Sequence, residues 1–181
     1  MAKFLAVALE GDLLDSLDEL VRACGKEPIG EVRLFAAWAS VSPLVTQKGY
    51  LGAARSGDWT VLVDDGSVTG PIFDDVELGA RLARRYATRV VSAYGSSVSG
   101  FCGYRVHTPG GLRSVLVGQE RVVEDEGEPI PGEEPLDPDT FNEYSVPGTL
   151  ELLGLDIADG VESSGRCALV QFATEPDRPR E

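Results

Sequence analysis

The segments GDWTVLVDDG (57–66), DVELGARLARRYA (75–87), TRVVSAYG (88–95) and GFCGYRVHTPGGLRSVLVG (100–118) decide the fold. Trp59 to Val63 is a run of strand formers, and Asp64-Asp65-Gly66 is a turn signal. The next segment has helical period. Leu78, Leu82, Tyr86, Val76, Gly79, Ala80, Ala83 and Ala87 share one arc, and Glu77, Arg81, Arg84 and Arg85 fill the other. Asp74, with Glu77 three residues on, fits a capping box, and Glu77 precedes Arg81 at the favourable i,i+4 spacing. So wide an apolar arc must lie on a sheet. Arg89 to Tyr94 reads as a strand, and Phe101–Thr108 with Leu112–Val117 as a hairpin around Pro109-Gly110-Gly111. Gly118-Gln119-Glu120 is a second turn, leading into a strand over 121–124.

Upstream, Lys3 to Leu9 is an apolar run of strand length. Asp12 suits the N-cap of a helix from Leu13 to Cys24, whose Leu13, Leu17, Leu20, Val21 and Cys24 share a face. Gly25 is its C′ residue. Glu31 to Ala39 alternates as a strand, with Trp38 as an apolar anchor. Ser40 to Ser56 is poorly patterned, with room for a short element around 50–54. Both β-α-β lead-ins have the same outline without a residue-level repeat.

Downstream, EDEGEPIPGEEPLDPDTFNE (124–143) carries nine acids, four prolines and no Lys or Arg, so it reads as an extended surface loop. Ser145-Val-Pro147 opens a helix through Leu153, and Arg166 to Thr174 is a closing strand. The tail 175–181 should fray. These elements predict an α+β fold: a mostly antiparallel sheet of six to eight strands, with two main amphipathic helices on one face. One domain spans 1–174, and any division into sub-lobes falls between 1–56 and 57–174.

Charge is the strongest departure from average composition. Lys plus Arg is 16 and Asp plus Glu 30, a net −14. That sign disfavours nucleic acid and anionic membranes and favours a basic protein partner. Solubility alone would also account for it. Cys24, Cys102 and Cys167 are odd in number and unclustered, which predicts packed thiols and a cytoplasmic protein. MAKFLAVALEGD is too short an apolar run for a signal segment.

Motifs for chemistry are weak. In GSSVSG (95–100), Ser99 stands where a nucleophile elbow needs its second glycine, and a strand follows instead of a helix. His107 is the chain's single histidine and has no metal-binding neighbours in sequence. The acidic loop lacks the spacing of a calcium loop. No catalytic, metal or cofactor set is expected. Glu124, Asp125, Glu126, Glu128, Glu133, Glu134, Asp137 and Asp139 are the candidate partner-binding residues.

The series WTVLV, amphipathic helix, RVV, YRVHTPGGLR, GEPIPGEE and LELLGLD, over 58–157, resembles small uncharacterised bacterial α+β proteins, many of immunity-protein type. The resemblance implies a non-catalytic module that binds and neutralises a cognate toxin; the net charge adds that such an effector would be basic. An alternative is a small-molecule binder or enzyme whose pocket, beside the 40–56 connection, uses Asp64, Asp65, Arg85 or His107. A third is a homo-oligomer joined through open sheet edges.

Overall fold

The computed structural model describes residues 3–119, 121–157 and 159–174. Nine strands form one sheet: β1 (Lys3–Glu10), β2 (Pro28–Phe35), β3 (Tyr50–Ser56), β4 (Trp59–Val63), β5 (Val90–Ser96), β6 (Phe101–Thr108), β7 (Gly111–Gly118), β8 (Arg121–Glu126) and β9 (Cys167–Phe172). Their order is β2-β9-β3-β4-β1-β5-β6-β7-β8, with neighbours antiparallel throughout. The α+β class and the antiparallel sheet agree with expectation; the strand count exceeds it. The tail 175–181 and the turn residue Glu120 lie outside the described residues.

Among the described residues, six helices accompany the sheet: α1 (Leu17–Ala23), α2 (Ser42–Val45), α3 (Thr69–Asp74), α4 (Val76–Tyr86), α5 (Ser145–Glu151) and α6 (Asp159–Glu162). Strands β4 and β5 do not pair. Strand β1 inserts between them, so β4 and β5 are mutually parallel and α3–α4 cross over β1. The link β1–α1–β2 also joins parallel strands. The two matching outlines in the sequence are thus both crossovers, and their helices share one face of the sheet.

On that face, here face A, Leu17, Leu20 and Val21 of α1 and Leu78, Leu82 and Ala83 of α4 bury against Val7, Leu9, Leu62, Val90 and Val170. The opposite face, B, holds Val61, Val91, Tyr104, Val115 and Leu169. It is covered by α2, α5, α6 and the acidic loop, through Trp38, Val45, Ile130, Val146, Leu150 and Val161. An expectation of two main helices on one face therefore describes α1 and α4 and omits the second cover that α2, α5 and α6 build on the other.

Local chemistry sets the element ends. Asp75 caps α4, accepting from the backbone N–H of Glu77 at 3.0 Å and Leu78 at 3.2 Å. Asp74 instead ends α3, so the cap lies one residue later than predicted. Helix α1 starts at Leu17, because Leu14–Ser16 form a 3-10 turn and Asp12 sits 3.4 Å from the Leu14 N–H. Gly25, at φ +76°, closes α1 with N–H donation to the Arg22 carbonyl. Strand β2 starts at Pro28, earlier than read, and Trp38–Ser40 form a 3-10 turn. The unpatterned 40–56 stretch supplies α2 and β3. A Cβ on Gly52 would stand 2.4 Å from Val45, so glycine lets α2 lie directly on β3.

Both sheet edges are irregular. β2 breaks register between Ile29 and Arg33, and β8 shifts opposite Leu116/Val117. Such breaks hinder edge-to-edge pairing, although Ile29, Leu34, Val122 and Val123 are exposed there.

His107 lies beneath α4, wholly buried, and neither ring nitrogen has a hydrogen-bond partner among the described residues. Burial, helped by the Arg105 charge, pushes its pKa down to about 4. Gly79 makes room for the ring: a Cβ there would stand 2.3 Å from His107 Nε2. Gly79→Ala should therefore destabilise, since overpacking at about 1–3 kcal/mol outweighs a helix-propensity gain of about 1 kcal/mol. The folded chain resists a proton that the unfolded chain takes at the ordinary 6.5. The contribution of His107 is thus complete above that pH and is lost as pH falls toward about 4. The loss is roughly 3 kcal/mol. His107→Leu should remove this acid-side loss in urea titrations run across the window. Parallel pH profiles for parent and variant would refute the assignment.

Candidate functional site

The loop after β8 folds back over face B. Ile130 is buried there, Leu136 and Phe141 are half-buried, and the Phe141 ring lies 6.5 Å from that of Tyr104. Such a proline-rich segment has no ladder of its own, so its order comes from polar anchors. The chief anchor is Arg113 of β7, 7% exposed at its side chain. Its Nη1 donates to Asp125 Oδ1 at 2.5 Å and to the Glu126 carbonyl at 3.1 Å. Its Nε donates to Glu133 at 3.1 Å, and Nη2 adds a second bond to that carboxylate. Glu133, equally buried, also accepts from the Ile130 N–H at 2.8 Å. Burial pushes the Glu133 carboxyl up, but Arg113 and the Ile130 N–H outweigh it and hold the group below the usual carboxylate range. Burial, joined by the Glu133 carboxylate, pushes the Tyr104 hydroxyl up.

Arg105 makes the corresponding anchor on face A. It donates to Glu124 at 2.8 Å, to Ser114 Oγ at 3.2 Å and to the Phe73 carbonyl, and its guanidinium stands 5.0 Å over the Phe73 ring. The eight predicted partner-binding acids therefore divide. Glu124, Asp125 and Glu133 are ion-paired within the chain. Glu126, Glu128, Glu134, Asp137 and Asp139 are exposed, with no ion pair among the described residues. Asp137 also accepts from the Asp139 N–H and Thr140 Oγ1, each at 3.1 Å, shaping its own turn.

The anionic surface extends past the loop. From Val122 to Gly165 the chain has thirteen acids and no Lys, Arg or His. The second half of that stretch forms α5 and α6 and the rim of a pocket of about 560 Å³ on face B. Phe4, Ala6, Val61 and Val63 make the floor, Trp38 lines it, and Glu151, Asp156, Asp159 and Glu162 stand around it. Carboxylates are the only ionisable groups among the lining residues. The far wall is fixed to the sheet. Trp59 Nε1 donates to the Leu153 carbonyl at 3.2 Å, and Ser56 Oγ donates to the Asp156 carbonyl at 2.8 Å. Gly160 fits closely against Ser56, where a Cβ would come within 2.0 Å. The proline-rich acidic stretch ends at Glu143, but the run without a basic residue continues to Arg166 and takes in these four rim acids. Nothing in the sequence marks Trp38 as their neighbour.

The residues suggested for an alternative site do not converge. Asp64 accepts from the Gly66 N–H at 3.0 Å, the Val68 N–H at 2.6 Å and Thr69 Oγ1 at 2.5 Å, and so forms the turn into α3. Asp65 accepts from the Ser67 N–H at 3.1 Å. Arg85 is exposed, 3.8 Å from Glu19, and His107 is buried under α4. Arg89, just beyond α4, pairs with Glu10 through two bonds, at 2.8 and 2.7 Å. Arg81, Arg84 and Arg85 belong to α4 on face A, the layer opposite the acids. Burial raises the thiol of Cys24 to about 12 and that of Cys102 to about 11, and these sulfurs act as packing atoms. Among the described residues no three His, Cys, Asp or Glu side chains converge as a metal centre, and no helix is long and apolar enough to cross a membrane.

No family model, no curated protein and no solved structure matches this chain.

Removing Arg113 should expose the loop's dependence on it. Arg113→Ala leaves Glu133 buried beside no cation and is expected to cost about 3–5 kcal/mol in chemical denaturation. It should also open 127–143 to proteolysis under native conditions. Asp125→Asn, at the half-exposed end of the network, should cost below about 1 kcal/mol. Joint replacement by Arg113→Met and Glu133→Leu should recover most of the loss, because no buried charge is then left alone.

Proposed function

We propose that the protein is a non-catalytic binding module that docks a basic protein partner on face B. The observation that carries this reading is the one-signed cover of that face. From Gly127 to Gly165, through the loop, α5 and α6, no basic residue interrupts the acids. The cover is held in place by Arg113, Trp59 and Ser56, so its exposed carboxylates are already positioned before a partner arrives. Preorganisation lowers the ordering cost of association, and a concentrated field raises the encounter rate with a cation-rich surface. Exposed Tyr144 and Leu152 lie in the same cover and supply apolar contact area. Inhibition of a basic effector, in the manner of an immunity protein, is the form of this function that the resemblance over 58–157 suggests. The acidic residues would then mask cationic groups that the effector needs for its own target.

The test uses the tagged full chain as bait in a lysate of its own host, with captured proteins identified by mass. The parent should retain one or a few partners of high isoelectric point and release them as salt shortens the screening length. A quadruple variant, Glu128→Gln, Glu134→Gln, Asp137→Asn and Asp139→Asn, should keep the parent's thermal unfolding and lose most of that retention. Retention unchanged by the substitutions, or no basic partner at any salt, would count against the reading.

A further inference from the structure

The geometry points to the face B pocket as a binding site for a small apolar organic cation, an alkyl- or arylamine or guanidine. This is a function separate from protein docking. Three features of the pocket converge on that ligand class. Its volume, about 560 Å³, lies within the range of small-ligand sites and exceeds what one side chain of a docked protein would fill. Its floor is apolar sheet surface, so a ligand must bring an apolar body. Its ionisable groups, Glu151, Asp156, Asp159 and Glu162, are carboxylates alone, so the body must carry positive charge. Glu151, Asp159 and Glu162 have no ion pair among the described residues, which leaves them available to a ligand. The Trp38 indole, nearly buried yet part of the lining, offers its ring to a cation passing to the rim. An anion of the same shape would meet four like charges, and a neutral analogue would gain the floor alone.

The pocket is also preformed. The α5–α6 wall is tied to β3 and β4 by the Ser56 and Trp59 hydrogen bonds, and Leu155 and Val161 are buried beneath it. A ligand would enter without ordering a loop. The rim acids are not those of the 128–139 loop, so the two surfaces can be altered independently.

An isosteric series tests the proposal on the full chain: n-hexylguanidinium, n-hexylammonium, n-hexanol and n-hexanoate, titrated while following tryptophan fluorescence, with Trp38→Phe as the signal control. Trp38 and Trp59 are the only tryptophans, and Trp59 is buried away from solvent. The two cations should give a saturable change that Trp38→Phe abolishes. Hexanol should bind about tenfold more weakly, as expected for loss of a charge-assisted contact, and hexanoate should not bind. Glu151→Gln with Glu162→Gln, both at exposed positions, should keep the parent's thermal unfolding, bring the cations to the affinity of hexanol and leave hexanol unchanged. Equal binding of hexanol and hexylammonium, binding of hexanoate, or no saturable response to any of the four would overturn the proposal. The quadruple loop variant separates the two readings. It should bind the cations like the parent, whether or not a basic protein is ever captured.

Discussion

A sheet buried on both faces is the constraint on which the rest of this structure depends. β4 is buried at Trp59, Thr60, Val61 and Leu62, and β3 is buried from Leu51 to Ala54. Neither strand can tolerate water on either side, so each face needs a cover. Face A receives one from amphipathic helices. Leu14, Leu17, Leu20, Leu78 and Leu82 are each buried, at about 1.5–3 kcal/mol apiece. Their stripes follow from helical period, and the helices need little beyond hydrophobic contact to stay in place. Among the described residues, face B has no helix to match the eleven residues of α4. Its cover consists of turns, helices of four to seven residues and a proline-rich loop. Apolar contacts from Ile130, Val146, Leu150 and Val161 are too scattered to fix that path. Side-chain hydrogen bonds from the sheet therefore do so: Arg113 to the loop, Trp59 to Leu153 and Ser56 to Asp156.

This division explains why face B can carry so many acids. A buried carboxylate is costly unless it is paired, and Glu133 has Arg113. The remaining acids of the cover stand at the surface, where water screens them from one another. Arginine suits this anchor because its fixed donors reach Asp125, the Glu126 carbonyl and Glu133 at once. Face A shows the opposite solution. Asp75 caps α4, Arg84 and Arg85 occupy its last turn, and charge is placed to suit the helix itself.

Local pattern made much of face A legible. The α4 stripe, the β6–β7 hairpin and the strand from Trp59 to Val63 were readable because each is set by neighbours within a few residues. Contacts across long separations were not. β1 pairs with β5 some eighty residues on, Leu9 opposite Val90, and this splits the segments from 57 to 118 that adjoin one another in sequence. β3 was only half visible. Leu51-Gly52-Ala53-Ala54 lacks β-branched residues, and its small side chains reflect the close approach of α2 instead of strand propensity. Arg113 had no sign of its role, since Glu133 lies twenty residues away and becomes a neighbour only through the return of the loop. The acidic loop was legible as acidic and extended. That three of its eight candidate acids anchor the fold, and five remain outward, depends on where β6 and β7 place two arginines.

Solubility explains a net charge; it does not explain where the charges lie. A chain that needed only −14 could intersperse its 16 basic and 30 acidic residues, and interspersion would lower the electrostatic self-energy. Here Arg81, Arg84 and Arg85 gather on the helical face, while 122–165 has no base at all. That segregation costs free energy in the isolated molecule, and the anchors of face B oppose it. Arrangements of this kind are kept when a one-signed field does something in addition to holding the protein in solution. The apolar pocket between Trp38 and the rim acids strengthens the inference, because open apolar surface offers no advantage to solubility. Charge segregation and an exposed apolar floor, set against each other by solubility alone, are reconciled by a ligand that is itself both cationic and apolar.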